Sequence, residues 1–441
     1  MVENSGAGTI LVLGTDPYLI RACHDRDFST LVVRDVSAHL RSDIVFPPGS
    51  DEEVVTDIAD VGDVWAALLR WGKPLNHIAG LVTTNEFGVG TVAAVATLLG
   101  RPSISMDCAA RMRDKYLQKQ MVRQAGLPAA AARVVVAGSR ERQLPFPGPC
   151  VIKPLAGAAA TDTRRCSTEA EYLAALDDLT STSRTPLVVE DLIDVGEEWV
   201  VDGVVFQGQI AFASVGRYSV PILEYVSAGS ADENVMRVYR VDGRYDPTVI
   251  GRARDLAARA LQALGYNDGV FHMELFRQPG QDEFVFGECA ARRGGAMIQE
   301  EVEVLHSVSL AGAAVDIALG RPPHVTSSLH PRHIGTTYLH LPRGTIIDIA
   351  TNEDMTSMAY VERAHISAML GVNDPPRRPT SSDRQGMCVV SGDSFEDLDR
   401  NMRLARREFQ RLSVVAPTFR PRGELLEFMN SRRAAGAAQP G

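Results

Sequence analysis

Short apolar runs alternate with helix-like segments along the first hundred residues of the chain. Thr9–Gly14, Thr30–Asp35 and Ile78–Thr84 are predicted to be buried strands, and Thr91–Gly100 is predicted to be a helix rich in small residues. Buried strands that alternate with helices are typical of a parallel α/β layer. The segment after the first strand, GTDPY, is not a G-x-G-x-x-G motif, so nothing specific indicates a dinucleotide site there.

The middle of the chain is richer in strand-like segments. Asp114 is a good N-cap residue within Asp107–Pro128, which has a helical pattern. Pro149–Thr163 predicts a strand that enters a loop of small residues, Ser167–Leu176 predicts a helix with a capping pattern, and Pro186–Tyr218 predicts two or three strands with a tight turn. Residues from about 126 to 191 are therefore expected to form a small α+β unit.

The rest of the chain starts with a helix, a hairpin and a helix, predicted at Val249–Gly265, Phe271–Gly295 and Ser307–Gly320. Beyond residue 330 the pattern predicts short strands, a loop rich in Pro, Arg and Ser, and a helix with Ser394 at N-cap spacing. The last residues, 431–441, have the composition of a disordered tail.

Composition and charge exclude several classes of function. The 441 residues suggest about three domains, and 45 basic against 55 acidic residues leave a net charge of −10, which disfavours general binding to nucleic acid or anionic lipid. No apolar run approaches the ~18 residues of a membrane span, and no secretory pattern is present, so we expect a cytoplasmic protein. The six cysteines contain no C-x-x-C pair, which favours buried free thiols over a zinc site or disulfide framework.

Lysine is rare in this chain. Only four of the 45 basic residues are lysines, namely Lys73, Lys115, Lys119 and Lys153. A position that keeps Lys where Arg is otherwise used has one of two explanations: it needs a compact ammonium group on a flexible stem, or it is a chance surface residue. Lys73, in the loop-like WGKPLN, fits the surface interpretation.

The predicted hairpin contains two opposed glutamates. If its loop is centred on Gln281, Glu274 falls directly across from Glu288. Two like charges at a cross-strand pair repel each other, so one of them must be protonated, or an arginine or a divalent cation must lie between them. Mg²⁺ is bound by one or two carboxylates together with the phosphates of a nucleotide. The alternative is a slipped register that leaves both glutamates at the surface.

The residues after Glu288 favour an anionic ligand. The segment CAARRGG places Arg292, Arg293 and two glycines beside the carboxylates, an arrangement that suits a polyphosphate with its metal or an anionic intermediate. Cys289 has no nearby histidine, so we interpret it as a core thiol rather than a nucleophile.

The order of these features resembles the ATP-grasp superfamily over roughly residues 105–325. RDKYLQKQMVRQAGLP is similar to the helix that precedes the superfamily's small lid domain, and PCVIKPLAGAAA is similar to the lid strand and phosphate loop. VVEDLIDVGEEWVVDGVV is similar to the nucleotide hinge, and HMELF with FGECAARRGG is similar to the metal hairpin. The resemblance implies an ATP site formed by Lys115 and Lys153 at the phosphates, by Glu190 with the backbone from Asp191 to Ile193 at the adenine, and by Glu198 at the ribose hydroxyls.

The same resemblance implies the groups that act on the transferred phosphoryl group. Glu274 and Glu288 would bind Mg²⁺, with Mn²⁺ as an alternative, and Arg292 and Lys153 would be catalytic. Arg293 and His272 are candidates for contacting the substrate carboxylate or amine. For His272, a satisfied core histidine is the other interpretation.

The implied fold is α/β and α+β multidomain, namely an ATP-grasp fold with an N-terminal Rossmann-like domain and a small lid domain. The expected boundaries are 1–110 for the N-terminal domain, 111–190 for linker helices and lid, 191–328 for the core, 329–430 for a C-terminal α+β extension, and 431–441 for the tail.

Two positions depart from the superfamily's pattern. Ala290 stands where the metal motif usually has Asn, so a second Mg²⁺ would be held by Glu288 and phosphates alone. The phosphate loop AGAAATDT is richer in Ala than in Gly, which would stiffen it or reduce its contacts with the γ-phosphate.

The resemblance implies an ATP-dependent, ADP-forming carboxylate–amine ligase that converts a small acid or amino acid to an acylphosphate and couples it to an amine. The C-terminal hundred residues resemble the extra domain of a subgroup that contains L-amino-acid (dipeptide) ligases and carboxylase-like members. The expected partners are a small carboxylate and an amine, without nucleic acid or membrane, and a homodimer is one expected state because dimers are common among similar enzymes.

Three alternatives remain open from the sequence. One is a carboxylase-like enzyme, another is a ligase that loads an acid onto a carrier protein, and the third is an ATP-binding protein without ligase activity, which Ala290 and the Ala-rich loop make plausible.

Overall fold

The protein divides into two compact units in a computed structural model that describes residues 8–41, 45–136, 143–182, 185–228, 235–373, 380–381 and 383–416. The first unit takes its described residues from Met1–Pro221 and Arg240–Leu329, and the second takes them from Ile222–Tyr239 and His330–Gly441. Within the described ranges, no helix has the length and apolar character needed to cross a bilayer.

The first unit begins with the α/β layer that the sequence predicts. Four parallel strands lie in the order β3-β2-β1-β4. The edge strand β3 was not predicted, because its sequence SDEEVV is charged where a buried strand would be apolar. The elements are β1 (Thr9–Leu13), α1 (Pro17–His24), β2 (Ser29–Asp35), α2 (Val36–Arg41), β3 (Ser50–Val55), α3 (Val61–Arg70), β4 (Ile78–Thr83) and α4 (Val89–Leu99).

Two helices and an antiparallel sheet follow. Asp114 ends the first helix and caps the second, where its carboxylate accepts a hydrogen bond from the Leu117 amide at 2.9 Å, so the N-cap prediction is confirmed. The sheet has the order β5-β8-β6-β7. The elements are α5 (Met106–Arg113), α6 (Lys115–Gln124), β5 (Ala132–Val135), β6 (Cys150–Pro154), β7 (Arg164–Cys166), α7 (Glu169–Thr182) and β8 (Leu187–Asp191).

The rest of the first unit is built on four antiparallel strands in the order β13-β12-β9-β10. The predicted hairpin is confirmed as β12 and β13, whereas helix α10, with the polar sequence IQEEVEVLH, was not predicted. In chain order the elements are β9 (Glu197–Phe206), β10 (Gln209–Tyr218), α8 (Ile222–Ala228), β11 (Arg237–Val241), α9 (Pro247–Leu264), β12 (Gly269–Arg277), β13 (Phe284–Ala290), α10 (Ile298–His306) and α11 (Leu310–Ala318); α8 and the first three residues of β11 belong to the second unit.

In the second unit, helix α13 packs on antiparallel strands. Ser394 caps this helix as predicted, accepting from the Asp397 amide at 3.1 Å. Strand β14 pairs with β11 and β18, β18 pairs with β16, and β15 pairs with β17 and β19. The remaining elements are β14 (His333–Leu339), β15 (Gly344–Asp348), α12 (Asn352–Thr356), β16 (Val361–Ile366), β17 (Gly371–Asn373), β18 (Gly386–Gly392), α13 (Phe395–Leu412) and β19 (Val414–Ala416). The predicted tail, 431–441, lies outside the described residues.

Candidate active site

The β12–β13 hairpin places Glu274 directly opposite Glu288, so the predicted cross-strand pair is confirmed. The strand pairing is not symmetric about Gln281 along the whole hairpin. Near the loop Arg277 pairs with Phe284, and the register shifts between Glu274 and Leu275. Gly287 is the unpaired residue at this bulge, and a Cβ atom there would lie 2.8 Å from the Glu274 carbonyl oxygen. The glycine therefore allows the close approach that brings the two glutamates into register.

Three lysines form a cluster with Glu288 and Glu190, one more than the two that the sequence assigned to this site. The ammonium of Lys115 lies 3.4 Å from Glu288, and that of Lys153 lies 3.7 Å from Glu288 and 3.2 Å from Glu190. Lys119 lies 3.3 Å from Glu190 and donates to the Gly287 carbonyl at 2.7 Å. Its spacing of four residues from Lys115 puts both on one helix face, a signal that sequence reasoning did not use.

Lys73 is the remaining lysine, and its interpretation as a surface residue is confirmed. Its side chain is 51% exposed and pairs with Asp51 at 2.6 Å.

Burial and the neighbouring charges shift the pKa values in this cluster. Burial acts to raise the pKa of Glu288, but Lys115, Lys153 and Lys119 outweigh burial and lower that pKa to about 2. Burial also lowers the pKa of Lys119, against the attraction of Glu190. The cluster therefore presents ammonium groups beside two opposed carboxylates, a combination that can hold phosphate oxygens and a divalent cation together.

The loop after β6 contacts Lys115. Lys115 donates from its ammonium to the Gly157 carbonyl at 2.7 Å, and its backbone amide donates to Leu155. Ala159, Ala160 and Asp162 have φ values of 56°, 54° and 57° in this loop, a left-handed conformation that non-glycine residues seldom adopt. The Ala-rich sequence thus forms a tightly turned loop at the cost of local backbone strain.

Of the predicted adenine and ribose residues, Glu190 and Asp191 lie at the end of β8 and Glu198 lies on β9. Glu190 is buried and pairs with two lysines, a role that the sequence did not suggest. The amide of Asp191 donates to Ala131, whereas the amide of Ile193 makes no backbone hydrogen bond within the described residues. Glu198 is buried on β9 opposite Phe276, so it shares the face of the sheet that carries Glu274.

The two predicted arginines pair with carboxylates of the N-terminal layer. Arg292 pairs with Glu86 and donates to the Arg293 carbonyl at 2.8 Å. Arg293 pairs with Asp16, and its guanidinium lies 5.6 Å from the ring centroid of Tyr18. The segment GTDPY, which showed no specific signal in the sequence, therefore supplies Asp16 to this site.

Glu86 is a second residue that sequence reasoning missed. Besides Arg292 it pairs with Arg113, which donates to the Ala156 carbonyl of the phosphate loop. Asp16 follows β1 and Glu86 follows β4, so both lie at the carboxyl ends of parallel strands. Open α/β sheets bind ligands at that edge, so this position could have indicated both residues as site candidates.

A buried chain of charges supports His272. Its Nδ1 lies 2.7 Å from Asp202, Asp202 pairs with Arg240 at 2.8 Å, and Arg240 pairs with Glu301 at 2.6 Å. Burial acts to lower the pKa of His272, but Asp202 and Glu274 outweigh it and raise the pKa to about 9. The Nε2 atom of the same ring lies 3.8 Å from Glu274. His272 is thus a partnered histidine that also faces the glutamate pair.

No family model matches the chain. The chain is 26% identical to the L-arginine-specific L-amino acid ligase of Bacillus subtilis over 326 aligned residues. The alignment covers 70% of this chain and 73% of that protein.

Solved structures match the fold over nearly the whole chain. The L-amino acid ligase from Bacillus licheniformis aligns with a TM-score of 0.76 at 17% identity, covering 94% of this chain and 100% of that one. The carboxyaminoimidazole ribonucleotide synthase from Aspergillus clavatus, complexed with ATP, aligns with a TM-score of 0.65 at 16% identity and covers 92% and 99%. These likenesses establish a shared fold.

Proposed function

We propose that this chain, an ATP-grasp enzyme, is an ATP-dependent carboxylate–amine ligase acting on an amino acid or a similar small acid. The substrate carboxylate attacks the γ-phosphorus of ATP and ADP leaves, which produces an acylphosphate. An amine then attacks the acyl carbon, phosphate leaves, and the nitrogen loses a proton to give the amide. The observation that carries the proposal is the Glu274–Glu288 pair with its three lysines.

The donor set fits a metal that arrives with its nucleotide. Among the described residues no group of three or more His, Cys, Asp or Glu side chains is arranged to hold a metal ion by itself. Two opposed carboxylates match the way Mg²⁺ is bound when phosphate oxygens complete its coordination, and Mn²⁺ can take the same place. Ala290 adds no ligand, so Glu274 and Glu288 are the proposed metal-binding residues. The cation would offset negative charge on the phosphates during transfer.

The lysines and the hinge would bind ATP. Lys115 and Lys153 would contact phosphate oxygens, since both ammonium groups lie beside Glu288, whose side chain is 31% exposed. Glu190 would read the adenine together with the backbone of Asp191–Ile193, where the Ile193 amide is available for a ligand acceptor. Glu198 would bind the ribose hydroxyls.

Arg292 and Lys153 are the proposed catalytic cations. Arg292 would stabilise the acylphosphate and then the tetrahedral oxyanion, with Glu86 holding its guanidinium in place. Arg293 and His272 would contact the substrate carboxylate or amine. Neither the phosphoryl transfer nor the attack of the amine needs a covalent nucleophile from the protein. This agrees with Cys289, which is buried and whose pKa is raised by burial.

The proposed partners are a small acid and an amine, and the proposed compartment is the cytoplasm. All six cysteines are buried and unpaired, which suits a reducing compartment. The L-amino acid ligases among the compared proteins act on amino acids by name, and this supports the choice of a small substrate for this chain.

Release of ADP and phosphate from Mg·ATP, measured over pairs of amino acids, tests the proposal. Wild-type protein should release both only when an acid and an amine are present. Lys153→Ala and Glu288→Ala should abolish turnover, whereas Glu283→Ala, an exposed residue of the same hairpin, and Lys73→Ala should behave as wild type.

Other outcomes would identify a different function. Dependence on bicarbonate alone would mean a carboxylase, and dependence on a pantetheinyl protein would mean a carrier-loading ligase. Nucleotide binding without turnover under any pairing would contradict the ligase proposal.

A further inference from the structure

A cavity of about 410 Å³ lies inside the first unit, next to the two site arginines. Its walls come from the end of β4, from α4, from the start of β12 and from α11, and Arg292 and Arg293 line one side of it. The volume is within the roughly 300–1,000 Å³ range of ligand pockets. None of the site residues proposed above, apart from the two arginines, lines this cavity.

Most of the residues that line the cavity are apolar. Val82, Val89, Val92, Leu310 and Ala311 contribute to it. Only three of the lining side chains carry a formal charge, namely Asp268 and the two arginines. Asp268 accepts a hydrogen bond from the Gln207 amide at 2.8 Å. The cavity therefore favours an apolar group more than a charged one.

Helix α11 lines the cavity with five residues, of which two are partly accessible. Ala314 and Ile317 are partly accessible, although Ala313, Val315 and Ala318 beside them are buried. Both accessible residues line the cavity, and Ala314 has no side-chain atom beyond Cβ to occupy it. A ligand group that entered here would cover apolar surface that the protein itself leaves uncovered.

The cavity lies on the same face of β12 as the proposed metal ligand. Val270, which lines the cavity, His272 and Glu274 alternate along the strand, so their side chains point to one side of the sheet. At ~3.3 Å per residue, Val270 is about 13 Å from Glu274 along the strand. The cavity therefore lies beyond His272 on the face that carries the proposed metal site, and an acid held at Arg292 can direct its side chain into it.

Arg292 provides a binding group between the proposed metal site and the cavity. Its Nε is engaged by Glu86 and its Nη1 by the Arg293 carbonyl, while Nη2 makes no hydrogen bond within the described part of the chain. A guanidinium nitrogen at the cavity wall can donate to an oxygen of a carboxylate or acylphosphate. The cavity thus combines an oxyanion donor at one side with apolar walls beyond it.

We infer that this cavity receives a large apolar side chain, aliphatic or aromatic, of the acid that the enzyme activates. The inference rests on the proposed ligase function, because that function places the reacting carboxylate of the acid at Arg292, which lines the cavity. The side chain fills the space beside Ala314 and Ile317. An acid with a side chain as small as that of alanine leaves this space empty and gains no apolar contact there.

The test varies the acid while the nucleophile stays constant. L-Alanine, L-leucine and L-phenylalanine are compared as acids, with hydroxylamine as a fixed small nucleophile that traps the acylphosphate. Wild-type kcat/KM should be higher for leucine and phenylalanine than for alanine by about tenfold or more, since each methylene group in an apolar pocket is worth about that factor. Direct binding of the same acids is measured by calorimetry with Mg²⁺ and a non-hydrolysable ATP analogue present.

Two variants change the cavity in opposite directions. Ala314→Leu should lower kcat/KM for leucine and phenylalanine by about tenfold or more and leave that for alanine within about twofold. Ile317→Ala should shift the preference from leucine toward phenylalanine. Ala258→Leu makes the same substitution on an exposed face of α9 and should match wild type. Thermal unfolding and analogue binding confirm that each variant is folded, and Ile317→Ala keeps the test available if Ala314→Leu does not fold.

The possible results separate the two proposals. If acids are activated but both cavity variants keep the wild-type ranking, the cavity inference is overturned and the ligase function stands. If no acid supports turnover but the apolar acids bind and Ala314→Leu weakens their binding, the cavity is a site for an apolar side chain and the ligase function fails. If no acid binds or reacts, both are overturned. An effect of the variants confined to the KM of an amine substrate would also overturn the assignment to the acid.

Discussion

Lys119 shows how a buried charge depends on its partners. Its side chain is 1% exposed, pairs with Glu190 and donates to the Gly287 carbonyl of the bulge. Removing one member of a buried ion pair leaves the other charge uncompensated, whereas loss of an exposed charge has little effect. In this cluster Lys153 remains beside Glu190, which limits the loss.

Lys119→Met should therefore lower the free energy of unfolding by about 2–3 kcal/mol and weaken nucleotide binding. Lys73→Met, at the exposed lysine, should change the free energy of unfolding by less than about 0.5 kcal/mol. Urea unfolding and nucleotide calorimetry on both variants give the comparison. Equal stability of the two variants would contradict the buried cluster.

His306 makes the stability of the first unit depend on pH. Its ring contacts Ser214 and Ser327 and lies edge-on to Phe212. Burial, together with Arg240, lowers the pKa of His306 from 6.5 to about 4. The folded state thus prefers the neutral ring, so its contribution to stability is complete above pH 6.5 and is lost as the pH falls from 6.5 toward 4.

His306→Gln should remove that part of the pH dependence. Between pH 7.5 and pH 5, the wild type should lose about 1–2 kcal/mol more in free energy of unfolding than the variant. Urea unfolding at the two pH values measures the difference between the proteins, in which the titration of other groups cancels. Identical losses would show that His306 titrates normally in the folded protein.

At the scale of elements, the β12–β13 hairpin and its neighbours determine where the site charges lie. Arg240 joins β11 to β9 and α10 through Asp202 and Glu301, and the side chains of Arg240 and Asp202 are fully buried. Because His272 is held by the same Asp202, this network also orients a ring that faces Glu274.

Arg240→Met should destabilise the protein by about 3–5 kcal/mol, because it removes the buried cation that pairs with both Asp202 and Glu301. Arg244→Met, at a neighbouring arginine that is 32% exposed, is the matched control and should cost less than about 1 kcal/mol. Chemical denaturation measures both. A small effect at Arg240 would mean that the carboxylates become protonated or solvated at little cost.

The hairpin also shows what the sequence can and cannot predict. Alternating apolar residues on both sides of a turn were enough to place Glu274 opposite Glu288. The bulge at Gly287 was not predicted, because its cause is the close approach of Gly287 to the Glu274 carbonyl, a contact between strands. The edge strand β3 was missed for a related reason: its charged residues are satisfied by long-range pairs such as Arg34 with Glu52.

At the scale of the whole molecule, contacts between distant segments complete the site. The order of strand, phosphate loop, hinge and hairpin along the chain predicted the ATP-grasp fold. Asp16 and Glu86 come from the N-terminal layer, far from the hairpin in sequence, and no local pattern connects them with Arg293 and Arg292. Residues that pair over such separations become visible only when the fold brings their elements together.

The metal position in a complex with nucleotide tests the central claim most directly. Crystals grown with Mn²⁺ and ADP locate the metal by its anomalous scattering. We expect a peak about 2–2.3 Å from carboxylate oxygens of both Glu274 and Glu288, with the phosphates beside Lys115 and Lys153. Bound nucleotide with its metal elsewhere, or with the two glutamates turned away from it, would contradict the account.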